Sequence, residues 1–101
     1  MAFICLISLE LHLPENASLK GKRKEVKSLR AHLIRRFGAA VAETDHHDLW
    51  QRATLTIALV GAQQAEVGER ADALQRFAES RLEDQVRWER KILTIDEVWE
   101  G

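Results

Sequence analysis

From Phe3 to Leu13 the chain reads FICLISLELHL, and the odd positions Phe3, Cys5, Ile7, Leu9, Leu11 and Leu13 are all apolar. The even positions begin apolar at Ile4 and Leu6 and turn polar at Ser8, Glu10 and His12. Alternation with period two predicts a strand with one face on a core, and the doubly apolar first half places it in the interior of a sheet. Pro14, which donates no ladder hydrogen bond, stops the strand, and residues 15–17 form a short loop. Ser18 reads as the N-cap of a helix that runs to Phe37 and closes at Gly38. Leu19, Val26, Leu29, Leu33 and Phe37 make the apolar stripe of that helix. The short apolar run from Ala39 to Glu43 predicts a second strand. From Gln51 to Val60 the alternation returns, with Ala53, Leu55, Ile57 and Leu59 on the core side, which predicts a third. Gln63 to Arg81 reads as a second helix through Val67, Ala71, Leu74 and Phe77, weakened by Gly68 in its interior. A charged but β-favouring run from Gln85 to about Ile95, with Val86, Trp88 and Ile92 apolar, predicts a fourth strand. The acidic tail from Asp96 to Gly101 is expected to be less ordered, with Val98 and Trp99 available to tack it down.

Strand-helix-strand-strand-helix-strand is the split β-α-β, or ferredoxin-like, pattern of an α+β fold. It predicts a four-stranded antiparallel sheet with both helices on one face and the first and third strands central. Leu9, Leu33, Leu55, Ile57 and Phe77 are expected near the centre of the core. A length of 101 residues with 46% hydrophobic content fits a single domain over residues 1–101, large enough to bury a core without disulfides or metal. The one cysteine, Cys5, excludes an internal disulfide, and on the core face it reads as a small buried hydrophobe. The first residues carry no positive leader and no small-residue cleavage site, and Glu10 and His12 interrupt the apolar run. Neither a signal peptide nor a membrane span is expected, so the expected location is cytoplasmic.

Charge changes the picture more than composition does. The net charge is −1, but the segment from Ser18 to Phe37 holds eight basic residues and one acid, for +7. The rest of the chain holds seven basic and fifteen acidic residues, for −8. On a helical projection with Lys20 at zero, Lys24 falls at about 40°, Lys27 at about −20° and Arg35 at about 60°. These four share one arc, away from the apolar stripe. Ordinary solvated faces mix both signs, and cations near a helix N-terminus work against the macrodipole. A basic strip in that place points to a polyanion, so Lys20, Lys24, Lys27 and Arg35 are expected to contact phosphates. Lys22 and Arg23 fall on or beside the apolar stripe, where a structural ion pair with Glu43, Asp45 or Asp48 and a ligand contact both remain open.

The polar segment from Glu43 to Gln51 is the second feature. His46 and His47 flanked by Asp45 and Asp48 resemble a metal donor set in type. Adjacent histidines on a turn point apart, however, and no further ligand pair stands elsewhere, so no metal or other cofactor is expected. No nucleophile or oxyanion hole accompanies the histidines, so no catalytic residues and no enzyme activity are expected. Asp45, Asp48, Trp50 and Gln51 remain as a candidate recognition loop, against the plainer reading of a polar turn anchored by Trp50. RNA recognition by stacking on the open sheet face is excluded, because Ile4, Leu6, Ser8, Glu10, His12, Arg52, Thr54, Thr56, Ala58 and Val60 include no aromatic residue.

The run Ser18-Leu19-Lys20-Gly21-Lys22-Arg23 and the run from Val41 to Ala53, VAETDHHDLWQRA, resemble the YlxP-like bacterial family, domain of unknown function 503. The likeness covers nearly the whole chain; Gly21 and His47 stand where that family suggests an acid and a glutamine. The resemblance implies a ferredoxin-like fold and no established enzyme activity. It also implies a role around RNA or the ribosome, since family members are often encoded beside translation initiation factor two and ribosome-binding factor A. The expected function is a small cytoplasmic accessory protein that binds RNA or a ribosomal particle through Lys20, Lys22, Arg23, Lys24, Lys27 and Arg35. The alternative is a protein-interaction module or homodimer that uses the open sheet face around Ile4 and Leu6.

Overall fold

Strand β1 (Phe3–His12) lies between two neighbours, as its doubly apolar first half requires. The computed structural model describes residues 1–13, 18–82 and 86–101. Along the chain β1 is followed by α1 (Leu19–Phe37), β2 (Ala40–Asp45), β3 (Arg52–Gly61), α2 (Gln64–Leu82), β4 (Val86–Thr94) and a short α3 (Ile95–Glu100). The strands form one antiparallel sheet in the order β2-β3-β1-β4. This is the ferredoxin-like arrangement, with β1 and β3 central. The expected stop at Pro14, the loop at residues 15–17 and a strand start at Gln85 lie outside the described residues.

The odd positions of β1 and β3 are buried from Cys5 to Leu11 and from Ala53 to Leu59. They meet Val26, Leu29 and Leu33 of α1 and Val67, Ala71, Leu74 and Ala78 of α2 in one core. Cys5 is fully buried there. Burial pushes its thiol above the ordinary value, against an opposing pull from Arg90, with Asp72 adding to the rise. Phe77 is only partly buried, on the rim of the core, which corrects the expectation of a central position. On α2 the small Ala78 takes the sheet-facing place, and Phe77, one residue earlier, turns to the seam with α1, where its ring lies 5.8 Å from Phe37.

The ends of the elements follow local chemistry. Ser18 caps α1, its hydroxyl accepting from the Gly21 N–H at 3.1 Å. At the other end Gly38 takes φ 64°, the left-handed conformation that glycine tolerates best, and donates to the Ile34 carbonyl. Arg70 of α2 reaches over this corner, with Nη2 donating to the Phe37 carbonyl at 2.6 Å and Nη1 to the Val60 carbonyl at 3.1 Å. Arg30 Nε donates to the Val41 carbonyl at 2.8 Å, which occupies an acceptor on the outer edge of β2. The tail is a further correction. Thr94 caps α3 by accepting from the Glu97 N–H, and Trp99 is 77% exposed instead of packing back.

Candidate nucleic-acid interface

Helix α1 begins against the β2–β3 turn, and Lys22 fixes that contact. Its side chain is 1% exposed. The ammonium donates to the His46 carbonyl and, at 3.3 Å, to the His47 carbonyl. Glu43 Oε2 lies 2.9 Å from it, at ion-pair distance but outside hydrogen-bonding directions. The turn is shaped to present these groups. β2 and β3 slip register between Glu43 and Asp45, His46 adopts φ 63°, and Asp45 Oδ1 accepts from the His46 N–H at 2.8 Å. The expected pairing of this helix start with the acids of the turn is therefore made by Lys22 and Glu43. Lys22 is corrected as an RNA contact: its charge is enclosed and its donors are occupied within the fold.

Arg23 is exposed, as are Lys20, Lys24, Lys27 and Arg35. The last four stand on the side of α1 opposite its buried residues, so the arc read from the sequence survives as a surface strip. Lys24 also lines a groove of about 470 Å³ where α1 meets the C-terminal turn of α2, with Glu25, Ser28, Leu29, Arg81 and Leu82. In that groove Arg81 Nη2 donates to the Ser28 hydroxyl at 3.1 Å.

Further along the same seam, basic groups gather on one ring. The Arg36 guanidinium carbon lies 4.4 Å from the Phe77 centroid and that of Arg81 lies 5.9 Å from it. The His32 ring is 5.7 Å from the same centroid. Partial desolvation, then the charges of Arg81, Arg35 and Arg36, hold the His32 imidazole below its ordinary pKa. The sequence alone marks Arg36 only as one of eight basic residues of α1 and gives His32 and Arg81 no role in a site. The available signal was the four-residue step from Phe77 to Arg81 and from His32 to Arg36, which stacks each pair on one helix face.

The candidate recognition loop divides. Asp45, Asp48, Trp50 and Gln51 are all exposed, and at 46% exposure Trp50 is not a buried anchor for the turn. Asp45 serves the turn itself, while the Gln51 carbonyl accepts from the Leu13 N–H at 2.7 Å and extends the pairing of β1 with β3. Among the described residues no three His, Cys, Asp or Glu side chains cluster as metal donors. No described helix is long and apolar enough to cross a membrane.

A family model for a protein of unknown function, DUF503, matches residues 4–90. The chain belongs to the DUF503 family. No curated protein matches this DUF503 chain. Among solved structures it is similar to the de novo designed protein Foldit4, with a TM-score of 0.64, 10% identity, and 93% of this chain and 98% of the design covered. It is similar to 30S ribosomal protein S6 from Thermotoga maritima, with a TM-score of 0.55, 14% identity, and 97% and 94% of the two chains covered. An amidase of the hydantoinase/carbamoylase family from Burkholderia phymatum matches at a TM-score of 0.60 and 15% identity. That match covers 92% of the DUF503 chain but only 28% of the amidase. At these identities the likeness is one of fold.

Proposed function

We propose that this DUF503 protein is a small cytoplasmic accessory factor that binds RNA or a ribosomal particle through Lys20, Lys24, Lys27 and Arg35, without catalysis. The observation that carries this reading is a single-sign strip of four exposed cations on the side of α1 away from the core. A designed protein and a 30S ribosomal protein share the fold, so the fold does not choose the partner and the charge distribution must. Lysines and arginines on one arc suit phosphates, which position a nucleic acid without reading its sequence. If all four engage single-stranded RNA, the log–log salt slope of binding should be about −2.8, from roughly −0.7 per phosphate contact.

The test is co-sedimentation with ribosomal particles at two salt concentrations, for the parent and for K24E/K27E. Exposed charges contribute little to folding, so the double variant should melt close to the parent. It should pellet far less, and the parent should be released by salt. Equal pelleting of both proteins at near-physiological salt would overturn the reading. One observation favours a second reading. Leu6 and Val60 are exposed on the open sheet face, in cross-strand rows with Ala58 and Ile4. An apolar patch of this kind supports a homodimer or protein-interaction surface, which sedimentation velocity would reveal as concentration-dependent association.

A further inference from the structure

The seam between α1 and α2 collects four basic side chains, none of them ion-paired to a carboxylate among the described residues. Arg35 and Arg36 of α1 and Arg81 of α2 all act on the fourth, His32. Three cations elsewhere are held by carboxylates: Lys22 by Glu43, Arg70 by Glu66, and Arg90 by Asp72. Like charges held together without an ion-paired carboxylate oppose folding, so an arrangement that retains them fits an external anion.

The geometry leaves the right atoms available. Arg36 lies over the Phe77 ring, and stacking uses the face of a guanidinium while its edge donors stay open. Arg81 spends one Nη2 donor on Ser28 and keeps the others. Both guanidiniums share one aromatic support with His32, which limits the rotamer freedom that would otherwise be lost on binding. The groove beside them is lined by Arg81 and Lys24, with the carboxylate residue Glu25 also in its wall, and it joins the seam to the lysine strip.

We propose that this seam holds a backbone phosphate of the bound RNA between Arg36, Arg81 and His32, carrying the strip of α1 across onto α2. The inference rests on the RNA-binding reading and adds to it a second helix, a defined phosphate position and a linkage to protons. A phosphate beside His32 favours the imidazolium, so the imidazole titrates higher in the complex than in the free protein. The added affinity is complete below the free-state value and is lost as pH rises through the value in the complex. The charged groups acting on His32 are Arg35 and Arg36 on its own helix and Arg81 across the seam.

The experiment is fluorescence anisotropy with a labelled uridine oligonucleotide, at constant ionic strength, between pH 5.5 and 7.5. Uridine is chosen because its base does not titrate there. The parent should bind several-fold more tightly at the acid end, and H32Q should bind with little pH dependence. R36Q and R81Q should each weaken binding at pH 6 and make the salt slope shallower by about 0.7, with melting temperatures near that of the parent. A merely structural role for these residues would move the melting temperature and leave the slope alone. If H32Q, R36Q and R81Q all match the parent while K24E/K27E loses binding, the seam inference is overturned and the strip stands. If the folded parent shows no salt-sensitive binding, the RNA reading fails and the seam inference falls with it.

Discussion

Lys22 shows how one side chain changes sides between a sequence and a fold. Its ammonium holds two turn carbonyls and faces Glu43, which is 21% exposed. Lys22→Met should therefore lower stability by about 3 kcal/mol in urea titrations, the lower end for removing one partner of a buried pair, because Glu43 can regain water. A loss below about 1 kcal/mol would mean that the pair does not hold the turn. Leu55 is a fully buried position of β3, and Leu55→Ala should cost about 2–5 kcal/mol through the cavity it leaves. A loss below about 1 kcal/mol in the same measurement would place Leu55 off the core. Much of this residue-level detail was legible. The alternation along β1 and β3 assigns each side chain to a face, and the arc of α1 separates Lys20, Lys24, Lys27 and Arg35 from the stripe. Between Lys22 and Arg23 the angular position alone could not decide, since both lie by the core edge and only the turn that meets the helix selects one. Phe77 misled for a related reason: size suggests burial, but the place facing the sheet has room for Ala78.

Among the elements, the corner at the end of α1 is the most constrained. Gly38 combines φ 64° with a close neighbour, since a Cβ there would lie 3.2 Å from Arg70 Nη2. Gly38→Ala should destabilise by about 1–3 kcal/mol, from left-handed strain and displacement of Arg70. A thermal melt unchanged from the parent would show that the corner relaxes freely. Helix and strand order could be read because each element carries its own period, and both caps of α1 are written in Ser18 and Gly38. Two features escaped. β2 continues past Glu43 because a bulge absorbs the polar residues, with the Thr44 and Thr56 hydroxyls 2.8 Å apart across the strands. α3 is set by Thr94, whose hydroxyl accepts from the Glu97 N–H and donates to Glu97 Oε1, an N-cap signal that sits inside a tail whose acidic composition suggests looser order.

For the whole molecule, the division of charge into a +7 segment and a −8 remainder is legible in the sequence, because it depends on residue order alone. The neutralisation of part of it is not, because Lys22–Glu43 joins the two parts across residues far apart in the chain. Nor is the seam, whose cations meet only when two helices pack around Phe77. The candidate surface was thus half legible: the strip on one helix could be read, its continuation onto the other could not. The pairing of β1 carries a separate consequence, for synthesis. β1 pairs only with β3 and β4, so neither neighbour is the next strand in the chain. At about 5–20 residues per second, the roughly forty residues from the end of β1 to the start of β3 take about 2–8 s to be made. Through that interval FICLISLELH has no strand partner, and it is apolar enough to pair with another nascent copy. The polar residues Ser8, Glu10 and His12, already on its outer face, are what limits that hazard while the ribosome is still at work.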